Sequence, residues 1–306
     1  MLEITCKMDY RLELEIALFG HLLNPLWKSR IERRRIRGEV TERAVSRYLD
    51  AYTDFIRDLK PDAAQVSAGP ERIFSIWLQG EDAAPELVKA CWRSVRKNCP
   101  QELAVLDSES IFQWIDLPEH IVRKWREGKM RPAHFSDICR LALLSRYGGL
   151  WLDATDYVPS PLPEWLWKSD FFVYMSGSEQ TGGWYAFIQN CFIRAKAGNF
   201  LASAWFRLIC EYWRREDKQV DYLIHQLLFK KIVEHNALAS DLFSAMPKIS
   251  QEPTHGLWFG AGDREYCKEE WDAICAGAMF QKTEYKSARA LSPIPGSNAY
   301  HLIHNE

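Results

Sequence analysis

Two rhythms of apolar residues run through this chain: a return every three or four positions, and short unbroken runs bounded by turn residues. The first marks a helix with one apolar face, the second a strand covered on both faces. They meet in the stretch Ala133 to Val158, AHFSDICRLALLSRYGGLWLDATDYV. Ile138, Leu141, Ala142, Leu144 and Tyr147 fall at helical spacing and predict a stripe facing a core. Asp137 and Arg140, three positions apart, project from one face of that helix. Gly148-Gly149 supplies the permissive backbone that ends a helix and turns the chain back. Leu150-Trp151-Leu152 then predicts a buried strand. Asp153, Thr155 and Asp156 follow at its carboxyl end, where open α/β sheets bind their ligands.

The same reading extends in both directions. Residues 1 to about 60 predict helices, broken at Asn24-Pro25 because a residue before proline is pushed out of helical backbone. Val45 to Leu59 carries Tyr48, Leu49, Tyr52, Phe55 and Ile56 on one side. Pro61 to Pro70, PDAAQVSAGP, has a linker's composition and divides a helical region over 1–68 from a second domain over 69–306. Arg72 to Gly80 predicts a first core strand, Pro85 to Lys97 a helix and Leu103 to Leu106 a second strand. Short helices are expected at Ile111 to Leu117 and Ile121 to Lys129. Beyond the central stretch, Phe171 to Tyr174 and Trp184 to Gln189 predict strands around the turn-prone Ser176 to Gly183. Asn190 to Ala197 leads into a helix over Phe200 to Arg215, and Tyr222 to Val233 predicts another. From Ser240 onward the tail predicts irregular structure. The order of elements is that of an α/β fold with a mostly parallel sheet and an N-terminal helical extension.

Composition excludes more than it selects. Of 306 residues 47% are apolar and 13 are tryptophan, ample for a large core. A net charge of -2 gives no global attraction to nucleic acid. One local exception is Trp27 to Arg37, with six basic residues in eleven. It reads either as a solvated helix face or as a foothold on an anionic membrane or a phosphate-bearing acceptor, where each cation adds about 1 kcal/mol. The eight cysteines show no CxxC spacing and read as reduced thiols of a cytosolic protein. The start, MLEITCKMDYRLELE, lacks the basic and apolar regions of a secretory signal. No run reaches the roughly 18 to 20 apolar residues of a membrane helix. The expected location is the cytoplasm, with peripheral contact at the inner membrane face open through the basic run.

Oxygen ligands packed at a strand end suit a hard divalent cation, Mg²⁺ or Mn²⁺, beside a diphosphate. The plainer alternatives are an acidic turn for Asp153 to Asp156 and an exposed helical ion pair for Asp137 and Arg140. Asp-x-Thr after a strand also occurs in phosphotransferases, but there it follows an early first strand. The whole stretch decides further. Ser136-Asp137-x-x-Arg140 and Tyr147-Gly-Gly-Leu-Trp-Leu-Asp-Ala-Thr155 resemble the signature of the capsular polysaccharide synthesis proteins, a family similar to glycosyltransferase family 32 and the large clostridial glucosylating toxins. Ile76-Trp-Leu-Gln-Gly80, Ala133-His-Phe135 and Asn190-Cys-Phe-Ile-Arg-Ala195 extend the resemblance over roughly residues 72 to 235.

The resemblance implies a GT-A-like nucleotide-sugar-binding fold and a retaining transfer from a nucleotide-sugar donor, often UDP-linked, with a divalent cation (Mn or Mg). The acceptor would be a glycan, lipid-linked in one version, or a protein if the chain acts as a toxin or effector. A sugar-nucleotide binder without turnover is the further alternative that Thr155 raises. Trp77, Gln79, Ser136, Asp137, Arg140, Trp151 and Asp153 would line the donor site, with Trp77 near the base. Asp137, Arg140, Asp153 and Asn190 would carry the chemistry, although Asn190 equally suits a strand-ending turn. Asp153 would be the first carboxylate of a DXD motif. Here the sequence departs from glycosyltransferase family 32, since Thr155 stands at the second acidic position. Asp156, or His301 and His304 from the tail, would complete the metal shell with Asp153 and Thr155. The two histidines also read as an exposed terminus.

Overall fold

The computed structural model describes residues 30–61, 69–176 and 187–304. The expected break at Asn24-Pro25, the residues Trp27 to Ser29 of the basic run and most of the expected linker and turn lie outside these residues. Helix α1 (Arg30–Leu49) leads through a 3₁₀ turn into α2 (Thr53–Arg57). There follow β1 (Ile73–Ile76), α3 (Glu86–Asn98), β2 (Leu103–Leu106), α4 (Ile111–Trp114), α5 (Glu119–Arg126), α6 (Pro132–Tyr147) and β3 (Gly149–Leu152). Next come β4 (Asp156–Tyr157), α7 (Glu164–Lys168), β5 (Phe171–Met175), β6 (Ile188–Ala195), α8 (Phe200–Arg215), α9 (Ile224–His235) and α10 (Ala237–Ala245). The C-terminal part adds α11 (Lys268–Ala276), β7 (Gln281–Lys282), α12 (Ala288–Leu291) and α13 (Asn298–His304).

The main sheet has the order β2-β1-β3-β6-β5. Strand β1 pairs in parallel with both β2 and β3, while β6 runs antiparallel to β3 and β5. Four strands therefore share one direction and β6 alone opposes them, the mostly parallel α/β sheet expected. Because β6 opposes β3, its start lies beside the carboxyl end of β3. Register confirms this: Leu152 pairs with Phe192 and Gly149 with Ala195.

Two glycines explain the sharp return from α6 into β3. Gly148 and Gly149 have φ of 65° and 94°, a region that a Cβ disfavours. A Cβ on Gly148 would lie 2.3 Å from the Ala197 amide nitrogen, and one on Gly149 2.3 Å from the Arg72 carbonyl oxygen. The helix they end is buried more completely than a single stripe implies. Asp137 through Leu144 are buried without interruption, since α6 is clamped between the sheet and α8. Pro132 sits in its first turn, where a missing N–H goes unnoticed.

The N-terminal helices share the main core: Val45, Leu49, Tyr52, Ile56 and Leu59 join the same apolar cluster as the sheet. Asn236 fastens them, its amide donating to the carbonyls of Ile56 and Leu59 at 3.0 Å each while its oxygen caps α10.

Two elements differ from the sequence reading. Of the strand expected over Trp184 to Gln189, residues 184–186 lie outside the described residues; β6 covers Ile188–Ala195, so most of the segment read as a lead-in to α8 is a buried strand. Its polar Asn190 and Arg194 hid the pattern. The tail is not irregular either. It carries a π-helical turn at Gly256–Gly260, α11, and the short β7, which pairs with β4 as a second, two-stranded sheet. A smaller apolar cluster that includes Leu257, Trp258, Trp271, Leu302 and Ile303 packs this segment on Leu87 and Ala90 of α3.

Candidate functional site

The side chains of Asp137 and Arg140 come from the buried face of α6 and meet the carboxyl end of β3. Arg140 Nη2 lies 2.9 Å from Asp137 Oδ1 and 3.1 Å from Asp153 Oδ1. Arg140 Nη1 donates to the Asn190 carbonyl. Its guanidinium also stacks over the Trp151 ring, 4.8 Å from the centroid. Trp151 in turn donates from Nε1 to Asp153 Oδ1 at 2.9 Å. The exposed helical ion pair is thereby set aside: Arg140 is 5% exposed and Asp137 12%. Trp151 orients the carboxylate from beneath.

Asn190 holds the other side. Its amide nitrogen donates to Asp137 Oδ1 at 3.1 Å and to His225 Nδ1 at 2.9 Å, and its oxygen accepts from Gln226 Nε2 at 3.1 Å. A side-chain amide has two N–H donors, so both are committed within the network. Accepting at Nδ1 places the ring proton of His225 on Nε2. Burial, together with Arg140, holds the pKa of this ring well below its usual value, so it stays neutral. It is a packed helix residue, stacked on Trp205 at 4.2 Å, but it also braces Asn190.

Lysine 282 completes the cluster. The β4–β7 register sets it opposite Asp156, and its Nζ lies 3.0 Å from Asp153 Oδ2 and 3.0 Å from Asp156 Oδ1. Burial works to raise Asp153, yet Lys282 and Arg140 hold it down at about 2. Burial pushes Asp137 and Asp156 up to about 7, against the pull of their cationic neighbours. Lys282, despite its burial, is held well above the usual ammonium range by Asp153 and Asp156.

The remaining expected residues fall around this centre in different ways. Trp77 follows β1 and packs edge-on against Tyr285, centroids 5.1 Å apart, in an apolar cluster that includes Ala154 of the Asp-Ala-Thr-Asp turn. Its indole Nε1 is buried with no partner among the described residues. Gln79 is exposed in the turn after β1, and Ser136 is half-buried on α6. Thr155 contributes backbone: its carbonyl accepts from the Thr283 amide at 2.9 Å and the Thr283 hydroxyl at 2.8 Å, fastening β7 beside the site.

Neither histidine of the tail reaches the carboxylates as expected. His301 stacks on Tyr266 at 3.6 Å, and His304 Nδ1 bonds to the Tyr300 carbonyl of its own helix at 2.9 Å. Both sit on α13, whose Leu302 and Ile303 anchor it in the second core. Among the described residues no three His, Cys, Asp or Glu side chains form a group able to hold a metal ion. The donor set that exists does not fit a divalent ion as it stands. Asp153 and Asp156 are already bridged by an ammonium, at hydrogen-bond distance rather than the roughly 2.1 Å of a Mg²⁺–oxygen bond.

Sequence reasoning missed Lys282 and Tyr285. A two-residue strand is too short to show a period, and a lysine in a polar tail looks like any surface lysine. Gln226 was missed for the same kind of reason, lying within an otherwise apolar helix.

Fold and site together define an α/β protein with a charged, partly open centre at the carboxyl end of its central strand. The chain belongs to the capsular polysaccharide synthesis protein family, matching it over residues 26–293. No curated protein matches the sequence. Among solved structures it is similar to one titled "PaToxG Glycosyltransferase", at 13% identity and a TM-score of 0.40, covering 69% of this chain and 83% of that one. Likeness of fold at that level says nothing of function by itself. No helix among the described residues is long and apolar enough to cross a membrane.

Proposed function

We propose that this chain is a glycosyltransferase that moves a sugar from a nucleoside-diphosphate donor, UDP-linked by the family resemblance, to a glycan acceptor in capsule or surface polysaccharide synthesis. The observation that carries this reading is Arg140 tied to both Asp137 and Asp153 at the mouth of the sheet, in a chain of the capsule-synthesis family. A buried guanidinium with carboxylates on either side recognises sugar hydroxyls and holds them in one orientation. Asp137 accepts from the donor sugar, while Asn190 fixes its rotamer from behind. Asp153 faces the accessible side, at 28% exposure, and takes the ribose or sugar hydroxyls nearest the diphosphate. Trp77 and Tyr285 offer an aromatic corner for the base, where the indole N–H, without a partner among the described residues, awaits an acceptor.

By the family resemblance transfer proceeds with retention, and with no separate nucleophile evident among the described residues the route is front-face attack without a covalent intermediate. The acceptor oxygen bonds to the anomeric carbon from the face that the phosphate leaves. The carbon–oxygen bond to the phosphate breaks with its electron pair on that oxygen, which then takes the acceptor's proton. A divalent cation at this centre would have to displace Lys282 from both carboxylates. The expected location is cytoplasmic, with the basic run over Trp27 to Arg37 as the candidate contact to an anionic surface.

The test is turnover of a panel of UDP- and GDP-sugars, read as nucleotide release and as label transfer to lipid-linked glycan or to lysate protein. One donor should be consumed, and Asp153→Asn should lose about 10²–10³-fold while keeping the native circular dichroism. Undiminished turnover by Asp153→Asn would sink the assignment. Label on protein rather than glycan would replace the proposed acceptor.

A further inference from the structure

Between Asp153 and Asp156 the chain has placed a cation of its own. The geometry points to Lys282 as the group that receives the donor's phosphate, so that donor binding and departure of the nucleotide need no divalent ion. This rests on the reading of the site as a donor site and goes beyond it, since that reading leaves open what neutralises the diphosphate.

Three observations carry the inference. An ammonium has three N–H donors, and Lys282 uses two, toward Asp153 Oδ2 and Asp156 Oδ1. The third has no acceptor among the described residues. The side chain is 20% exposed beside Asp153 at 28%, so the group stands at the accessible edge of the cluster rather than beneath it. Asp156, in contrast, is wholly enclosed, and its second oxygen is buried with no hydrogen-bond partner among the described residues. A magnesium ion keeps several of its waters and demands near-octahedral oxygen geometry. An enclosed carboxylate leaves no room for that hydration, but it suits an ammonium that needs one bond from it.

The position is also built, not incidental. Lys282 sits directly across a strand pair from Asp156, and the Thr155 carbonyl pins the next residue, Thr283, through two bonds. Asp153 and Asp156 thus hold the ammonium in place, and the third N–H donates to an oxygen of the donor's β-phosphate. When the bond from the anomeric carbon breaks, its electron pair stays on that phosphate. Lys282 stabilises the added charge there and remains protonated throughout.

The experiment is calorimetric binding of UDP and of GDP to the full chain, in excess EDTA and in Mn²⁺, for wild type, Lys282→Met and Lys282→Arg. Wild type should bind one of the two in EDTA, with added Mn²⁺ raising affinity less than about threefold. Lys282→Met should weaken binding by about tenfold or more, the loss of one charge-assisted bond, and Lys282→Arg should restore most of it. Removing the ammonium leaves two carboxylates face to face. The double variant Asp156→Asn with Lys282→Met therefore repeats the test with one fewer, should the single variant misfold. Wild-type binding that appears only with Mn²⁺, or binding unchanged in the Lys282→Met variants, overturns the role of Lys282 and leaves the donor-site reading standing. No binding by either nucleotide in either condition overturns both.

Discussion

Two buried arginines stand at opposite ends of the β3–β6 strand pair, and their partners differ in kind. Arg194, on β6 across from Leu150, is fully enclosed; Arg140 on α6 is nearly so. Each lies against a tryptophan, Trp167 at 5.6 Å and Trp151 at 4.8 Å. Arg194 gives every nitrogen to a fixed acceptor: the carbonyls of Leu166, Gly149, Ala195 and Trp167, and the Glu71 carboxylate. Arg140 instead faces two carboxylates and one carbonyl, with its Nε buried and unpartnered among the described residues. Burial works to lower the pKa of both, and at Arg194 it prevails. At Arg140 the neighbouring Asp153 and Asp137 reverse it. Residue type and burial alone do not separate a structural arginine from a functional one. The acceptors do: satisfied carbonyls mark a clamp, and carboxylates beside an open edge mark a candidate site.

The widest gap should appear when each arginine is truncated. Arg194→Met strands four carbonyls and Glu71, and should cost about 3–5 kcal/mol of stability in denaturant unfolding. Nucleotide binding per folded molecule should stay within about twofold of wild type. Arg140→Met should reverse the balance. Asp137 can take up a proton and Asp153 keeps Lys282, so the fold loses less, while turnover should fall about 10²–10³-fold. Equal losses of stability in the two variants would erase the distinction between clamp and site.

That distinction could not be read from the chain alone. Asp137, Arg140 and Asp153 were legible because a helix, two glycines and a strand follow one another without a gap, so local spacing already sets their geometry. The sheet class was legible for the same reason, from short apolar runs alternating with helical periods. The clamping role of Arg194 was invisible, because its segment read as a lead-in to a helix and not as a strand. Lys282 was invisible for a deeper reason. It reaches Asp156 only through a tertiary pairing 126 residues away in sequence, carried by a strand of two residues. The tail histidines failed in the converse way: residues suited to a metal were present, but the second core holds their helix elsewhere.

Acidity should separate the two ends next. Burial raises Asp137 and Asp156 from 3.8 to about 7, so the folded chain keeps protons there that the unfolded chain has released. The share of stability that these two carboxyls contribute should therefore fall as pH rises from about 4 to about 7 and level off above, while His134 and His225, kept neutral by burial, contribute in the opposite sense below about pH 6.5. Asp153, held at about 2, acts oppositely and only below about pH 4. Asp137→Asn removes one share of the loss, so its melting temperature should decline less over that range. At about pH 8 it should exceed wild type in stability by on the order of 1–3 kcal/mol, while donor turnover collapses. Parallel melting curves for the two proteins would mean that Asp137 stays ionised against Arg140 in the folded state.

The smallest effect tests the two tryptophans. Trp167→Phe keeps the backbone carbonyl that Arg194 uses and changes only a ring contact at 5.6 Å, so stability should shift by less than about 0.5 kcal/mol. Trp151→Phe keeps a ring under Arg140 but deletes the N–H that orients Asp153 at 2.9 Å. One net hydrogen bond to a charged group is worth about 1.5–3 kcal/mol, part of which Arg140 and Lys282 retain by holding the same carboxylate. Turnover should therefore fall about five- to tenfold with the fold intact, and donor affinity should fall less than turnover. If Trp167→Phe reduced turnover equally, the tryptophans would act through the core and not through Asp153, and the carboxylate's orientation would have to come from its two cations alone.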